Sequence, residues 1–157
     1  MSDKPHQKPD FQGVARSSME EHDKLHQTIG ELRACAEQAK SSQQEKHLEA
    51  LGEWLKEFKV IMRRHMDFEE ADGFMRPVVE IRPTLAGRVE EIRAEHDQVW
   101  ETLNELIGAI ENPGQSSFWP RDVPDATLAL LDQIIHHEEK ENTIILDVFI
   151  DDVGTKD

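Results

Sequence analysis

The chain has 157 residues and a net charge of −15 with histidine neutral. That length fits one domain around one core, and the acidic balance argues against nucleic acid or an anionic membrane surface as partner. The single cysteine, Cys35, excludes an intrachain disulfide and a cysteine-based zinc site. Because the sequence has no secretory signal core and no apolar run of about 20 residues that a membrane span needs, we expect a cytoplasmic protein.

Residues 1–14 are polar, contain Pro5, Pro9 and Gly13, and predict a flexible arm. A first helix is predicted from about Ala15 to Lys40, because its apolar residues recur at steps of three and four, which places them on one helix face. This stripe consists of His22, Leu25, Ile29, Leu32 and Ala36. A histidine therefore occupies the first position of a core-facing stripe.

The second helix is predicted from about Ser42 to Ala71, and its stripe ends on two ionisable side chains. The stripe consists of Leu48, Leu51, Leu55, Phe58, Met62, His65 and Glu69. Burying an unpaired carboxylate costs several kcal/mol, so Glu69 at a core position needs a partner. The connection that follows contains four apolar residues that are predicted to cover one end of the core: Phe74, Met75, Val78 and Val79.

The third helix is predicted from about Thr84 to Glu111, and the fourth from about Pro124 to Ile150. The third stripe consists of Ile92, His96, Val99, Leu103, Leu106 and Ile110. The fourth stripe consists of Leu130, Ile134, His137, Glu141, Ile144 and Val148. Residues 151–157 predict a frayed polar tail. Four amphipathic helices with short breaks predict an all-α, up-down-up-down four-helix bundle over residues 15–150.

The pattern is an internal repeat of two helix pairs. The first and third helices each carry Glu-His-Asp, and the second and fourth each carry His-x-x-x-Glu, a spacing that puts both side chains on one helix face. In an up-down hairpin the start of one helix lies beside the end of the next. We therefore expect one cluster at one end of the bundle, formed by His22, His65, Glu69, His96, His137 and Glu141.

Four imidazoles and two carboxylates that can bridge would form a two-metal site. Nitrogen-rich ligation with carboxylate bridges favours iron, and to a lesser degree manganese or zinc, over magnesium or calcium. Such a site with an open position is suited to binding O₂, NO or peroxide. A bundle that binds one adventitious zinc ion is the structural alternative, since a single histidine on an apolar stripe is usually a core residue.

These motifs resemble those of hemerythrin-like (HHE cation-binding) proteins, from about Ala15 to Ile150. The resemblance implies a non-haem centre of two iron ions with an oxo or hydroxo bridge. It also implies that the four histidines are terminal ligands and that Glu69 and Glu141 are bridging carboxylates. Oxygen-carrying hemerythrins have a further histidine one turn after the one on the third helix, where this chain has Trp100. The set is more similar to a branch associated with iron–sulfur cluster repair and NO or peroxide chemistry.

Two further histidines lie near the predicted cluster. His26 is one turn past His22 but one step off the stripe, so we expect a role beside the ligands or at the surface, with a fifth ligand as the alternative. His136 is a similar candidate. The open coordination position is predicted on the side where Trp100 stands.

Three functions fit these residues. The first is a protein that binds or senses a small oxidant, the expected partner being a diatomic molecule or peroxide. The second is a di-iron enzyme that dismutates peroxide, reduces NO or delivers iron to damaged clusters. The third is iron storage or a structural metal bundle.

Overall fold

The computed structural model describes residues 10–154, with side chains to Asp151. Within that range the chain forms five α-helices and two single-turn 3₁₀ helices, and no strand. The α-helices are α1 (Phe11–Ser42), α2 (Glu45–Ala71), α3 (Met75–Ile81), α4 (Ala86–Glu111) and α5 (Val123–Gly154). The four long helices form the predicted bundle, in which α1 and α4 each pack against both α2 and α5. None of the described helices has the length and apolar character needed to cross a lipid bilayer.

The bundle begins earlier than the sequence pattern indicated. The side chain of Asp10 accepts a hydrogen bond from the backbone N–H of Gly13 at 3.2 Å and caps α1. Phe11 is 1% exposed, and with Ala15 and Ser18 it extends the buried stripe by about three turns before His22. The predicted boundary at residue 15 is therefore wrong by four residues. The predicted flexibility of residues 1–9 lies outside the described part of the chain.

The other end of the chain also stays helical for longer than expected. Helix α5 continues to Gly154, past the predicted boundary at Ile150, and the last three residues of the predicted tail lie outside the described range. The connection between α2 and α4 contains α3, which the sequence pattern did not predict as a helix. Its residues Met75 and Val78, with Phe74, are at most 1% exposed, and Val79 is partly buried against the same apolar cluster. The predicted apolar cover of the core is therefore confirmed.

Two apolar clusters fill the bundle, one on each side of a polar layer. The larger cluster lies around Leu32, Leu55, Leu103 and Leu130. The smaller cluster lies around Phe11, Phe74, Ile92 and Val148. On α1, for example, His22 falls between Ala15 of the smaller cluster and Leu25 of the larger one. The polar layer is therefore enclosed from both ends rather than placed at the end of the bundle, because α1 starts early and α3 closes that end.

Candidate metal centre

The polar layer brings together all six side chains that the sequence singled out. Each of them is at most 6% exposed: His22, His65, Glu69, His96, His137 and Glu141. Their nitrogen and oxygen atoms form two groups of four, and within each group all the atoms lie within 4.8 Å of one another. One group is His22, His65, Glu69 and Glu141, and the other is Glu69, His96, His137 and Glu141. The two glutamates belong to both groups, which is the arrangement expected of bridging carboxylates.

Each glutamate contacts the histidine that lies one helical turn before it. His65 and Glu69 are four residues apart on α2, as are His137 and Glu141 on α5, so each pair leaves the same helix face. In each pair Nε2 of the histidine and Oε1 of the glutamate are in contact, but neither atom has a hydrogen-bond partner. In each pair, the imidazole Nε2 and the carboxylate Oε1 therefore point toward the same position within the polar layer.

The other contacts of the two glutamates are with histidines on different helices. Glu69 reaches α4, where its Oε2 lies 3.1 Å from Nε2 of His96, and its Oε1 lies 3.6 Å from Nε2 of His22 on α1. Glu141 does the reverse: its Oε2 lies 3.1 Å from Nε2 of His22, and its Oε1 lies 3.8 Å from Nε2 of His96. Each carboxylate thus lies between the two histidine pairs.

Two of the imidazoles are held from outside the layer. Nδ1 of His22 lies 2.7 Å from Oδ1 of Asn142, and Nδ1 of His137 lies 2.7 Å from Oε2 of Glu95. An outer nitrogen that donates to an oxygen leaves the inner Nε2 free to bind a metal. The sequence analysis missed Asn142 and Glu95. Both are adjacent in sequence to predicted ligands, but each orients a histidine on another helix, which spacing along one helix does not reveal.

The unpaired polar atoms of the layer test whether metal ions fit. Among the described residues, nine buried side-chain nitrogen or oxygen atoms have no hydrogen-bond partner. Six of the nine belong to the candidate ligands: both ring nitrogens of His65, Oε1 of Glu69, Nδ1 of His96, Nε2 of His137 and Oε1 of Glu141. Each unpaired buried group costs about 1–3 kcal/mol. Two metal ions bound by imidazole nitrogens and carboxylate oxygens would satisfy the atoms that face inward, so the residues fit a di-metal centre.

Without metal, protons would neutralise the layer. Burial alone would lower the pKa of His22, but the carboxylates of Glu141 and Glu69 outweigh burial and raise it to about 11. The same balance raises the pKa of His96 to about 10. Burial alone would raise the pKa of Glu69, but His22, His65 and His96 hold it well below its usual range. Metal ligation needs neutral imidazole, so bound ions would replace these protons.

His26 and His136 lie outside both groups of four. The side chain of His136 is 70% exposed and lies 3.6 Å from the carboxylate of Glu139 at the surface. His26 is about half exposed, and its Nε2 contacts Oε2 of Glu138 on α5. The fifth-ligand alternative for His26 therefore finds no support in the geometry, which places it beside the layer.

Glu138, like Glu95, was not predicted from the sequence as part of the site, and it is almost completely buried. It is 1% exposed, its Oε1 has no hydrogen-bond partner, and burial raises its pKa. A signal for it exists in the sequence, because α5 carries a second buried stripe with steps of three and four. This stripe consists of Leu131, Ile134, Glu138, Glu141 and Ile145.

Trp100, which stands where oxygen carriers have a further histidine, is half-buried in the groove between α2 and α4. Its ring centroid lies 4.8 Å from Nζ of Lys59 and 4.9 Å from Cζ of Arg63. These cation–π contacts hold the indole against the outer side of α2. Trp100 therefore lies between the larger apolar cluster and two surface cations.

A model of the hemerythrin HHE cation-binding domain family matches residues 16–150. Comparisons with curated proteins and with solved structures gave no match. The matched range begins within α1, ends within α5 and includes all six candidate ligands. The chain therefore belongs to the hemerythrin HHE cation-binding domain family.

Proposed function

We propose that the protein is a non-haem di-iron protein that binds or senses a small oxidant: O₂, NO or peroxide. The observation that carries this proposal is that Glu69 and Glu141 belong to both four-residue groups. Carboxylates shared in this way would hold both metal ions of a two-metal site. When bound, two iron ions would supply a redox pair able to exchange electrons with an oxidant.

Each metal position would have four protein donors: two histidines and the two shared glutamates. Non-haem iron sites with histidine and carboxylate ligands characteristically keep open positions. Trp100 stands where a further histidine would fill one of them, and its ring is turned to the α2/α4 groove. The ligand set therefore supports a site that accepts an exogenous ligand.

The burial of the candidate metal ligands limits the size of the exogenous ligand that can reach them. The six candidate ligands are at most 6% exposed, and apolar clusters lie on both sides of them. A groove of about 340 Å³ between α1 and α2 reaches the layer at His65. A diatomic molecule or peroxide fits this access better than a large organic substrate. Exclusion of water also strengthens the electrostatic contacts in the layer.

The test begins with anaerobic reconstitution of the full chain with Fe(II), followed by metal analysis and an optical spectrum of the oxidised protein. We expect two irons per chain and an oxo-bridged diferric charge-transfer band. Zinc, or less than one iron per chain, would instead favour a structural or storage bundle.

Stopped-flow mixing with each oxidant then separates binding from catalysis. A stable, reversible adduct supports binding or sensing. Rapid turnover of peroxide or NO would support the second candidate, a detoxifying or cluster-repair enzyme, which the open position at Trp100 also favours.

A further inference from the structure

The groove between α2 and α4 is positively charged, although the chain as a whole has a net charge of −15. Its volume is about 800 Å³. Four cationic residues of α2 line it: Lys56, Lys59, Arg63 and Arg64. Two acidic residues line it as well, Asp67 on α2 and Glu111 on α4. Positive charge is therefore concentrated at one place on a mainly acidic protein.

Only part of this positive charge is paired within the described residues. Lys56 contacts Glu111 across the groove, and Nε of Arg63 lies 3.7 Å from Oδ1 of Asp67 on its own helix. The other two cations of the groove form no ion pair with the part of the chain that the structure describes. They remain available to an acidic group from outside the chain.

Apolar side chains form the rest of the groove wall. Trp100 is partly buried against the larger apolar cluster, and its ring centroid lies 4.8 Å from Nζ of Lys59 and 4.9 Å from Cζ of Arg63. Val60 lines the same groove and is 59% exposed. The lining residues extend over about three turns of each helix, roughly 16 Å. The groove is therefore an elongated apolar strip with cations along one edge.

We propose that this groove is a docking site for an acidic amphipathic helix of a partner protein. The apolar face of that helix contacts Val60 and Trp100, and its carboxylates pair with Lys59, Arg63 and Arg64 on α2. Laying an apolar helix face into a groove is a common mode of recognition, and complementary charge along the edge selects the partner. The inference goes beyond the proposed function, because none of the six candidate metal ligands lines this groove.

The charge of the chain favours a short acidic segment over the other occupants. Charges separated by more than about 8 Å are largely screened at physiological ionic strength, so a helix confined to the groove meets mainly its cations. A nucleic acid would extend beyond the groove onto acidic surface and make few phosphate contacts. A second copy of the chain, placed on this groove by a two-fold axis, would set the same cations against one another.

The probe is a fluorescently labelled peptide with leucines at steps of three and four and glutamates on both sides of them. It has about 20 residues, because isolated helices shorter than about 15 residues are marginal in water. The control peptide contains the same residues in an order that spreads the leucines around the helix. Binding to the full chain loaded with iron is measured by fluorescence anisotropy. We expect the amphipathic peptide to bind about tenfold more tightly than its control, and more weakly as salt rises.

Two double variants locate the binding on the protein. Lys59→Glu with Arg63→Glu reverses two charges in the groove. Lys24→Glu with Arg76→Glu makes the same change in net charge at side chains that are 74% and 81% exposed and lie outside the groove. We expect the groove variant to bind the amphipathic peptide about tenfold or more weakly, and the control variant less than about threefold more weakly.

Val60→Ser tests the apolar contact at an exposed position, and covers the case in which the groove double variant does not fold. It should weaken binding several-fold, since apolar surface no longer leaves water on docking. An unchanged affinity would contradict the inference.

Three other results would also overturn the inference. The first is that both double variants bind the peptide equally, or that the wild-type chain does not distinguish the two peptides. The second is binding of a single-stranded oligonucleotide that the groove variant alone loses, which would assign the groove to nucleic acid. The third is a wild-type dimer that the groove variant alone dissociates in sedimentation velocity, which would make the groove an interface between copies of the chain.

Discussion

Replacing Glu69 with glutamine removes one charge from the middle of the polar layer and leaves the side chain nearly the same size. The carboxylate is 1% exposed, with Nε2 of His96 at 3.1 Å and Nε2 of His22 at 3.6 Å, and it also contacts His65. Glutamine cannot neutralise these imidazoles, and its amide cannot bridge two cations as a carboxylate does. We expect both the stability of the metal-free chain and its metal content to fall.

The magnitude follows from the burial of the contacts. Breaking a buried ion pair costs about 3–5 kcal/mol, and each kcal/mol lowers the Tm of a domain of this size by about 2–4 °C. The Tm of the metal-free protein should therefore fall by roughly 6–20 °C. Because the pKa of Glu69 is held well below its usual range, its contribution is present at neutral pH. It disappears as the pH falls through the folded-state pKa.

Thermal melts followed by circular dichroism, with chelator and after iron loading, measure the stability, and elemental analysis measures the metal. The control is Glu57→Gln, the same change at an exposed position of α2, which should alter stability by about 0.5 kcal/mol or less. The loss of a shared ligand should reduce the iron content to one per chain or fewer. A Glu69→Gln protein that holds two irons and has the same Tm as the Glu57→Gln control would refute the bridging role.

Three further outcomes are expected. His65→Ala should lose iron on elemental analysis, whereas His136→Ala, at a side chain that is 70% exposed, should keep it; equal retention would contradict the ligand assignment. Metal binding at pH 7 should release at least two protons per chain, one each from His22 and His96, whose pKa values are about 11 and 10 without metal. His137 should add to the release, because Glu141 and Glu95 outweigh burial and raise its pKa as well. Metal affinity should then rise with pH up to about 11, less steeply above about 10. Calorimetry in buffers of different ionisation enthalpy measures the release, and well under one proton would contradict it. Removing iron with a chelator should lower the Tm in scanning calorimetry, because ligands of the folded state stabilise it, and an unchanged Tm would argue against binding to the folded chain.

The sequence by itself determined the four long helices and the helix face on which each candidate ligand lies. Steps of three and four are a local property of the α-helix, whose backbone hydrogen bonds fix 3.6 residues per turn. His65 with Glu69, and His137 with Glu141, therefore had to share a helix face wherever the helices were placed. The repeat of two helix pairs then predicted a single cluster, and the structure brings all six side chains into one layer.

The tertiary structure alone decided which helices meet across that layer. The predicted hairpin partners do share a group, His22 with His65 and Glu69, and His96 with His137 and Glu141. Beyond its own helix, however, Glu69 is closest to His96 on α4, and Glu141 is closest to His22 on α1. The partners Asn142 and Glu95 and the pairing of Glu138 with His26 also depend on the lateral order and axial offset of the helices. Those quantities are set by packing between distant segments and by connections such as α3. Periodicity along one helix determines which face is buried, but not which residue of another helix lies opposite it.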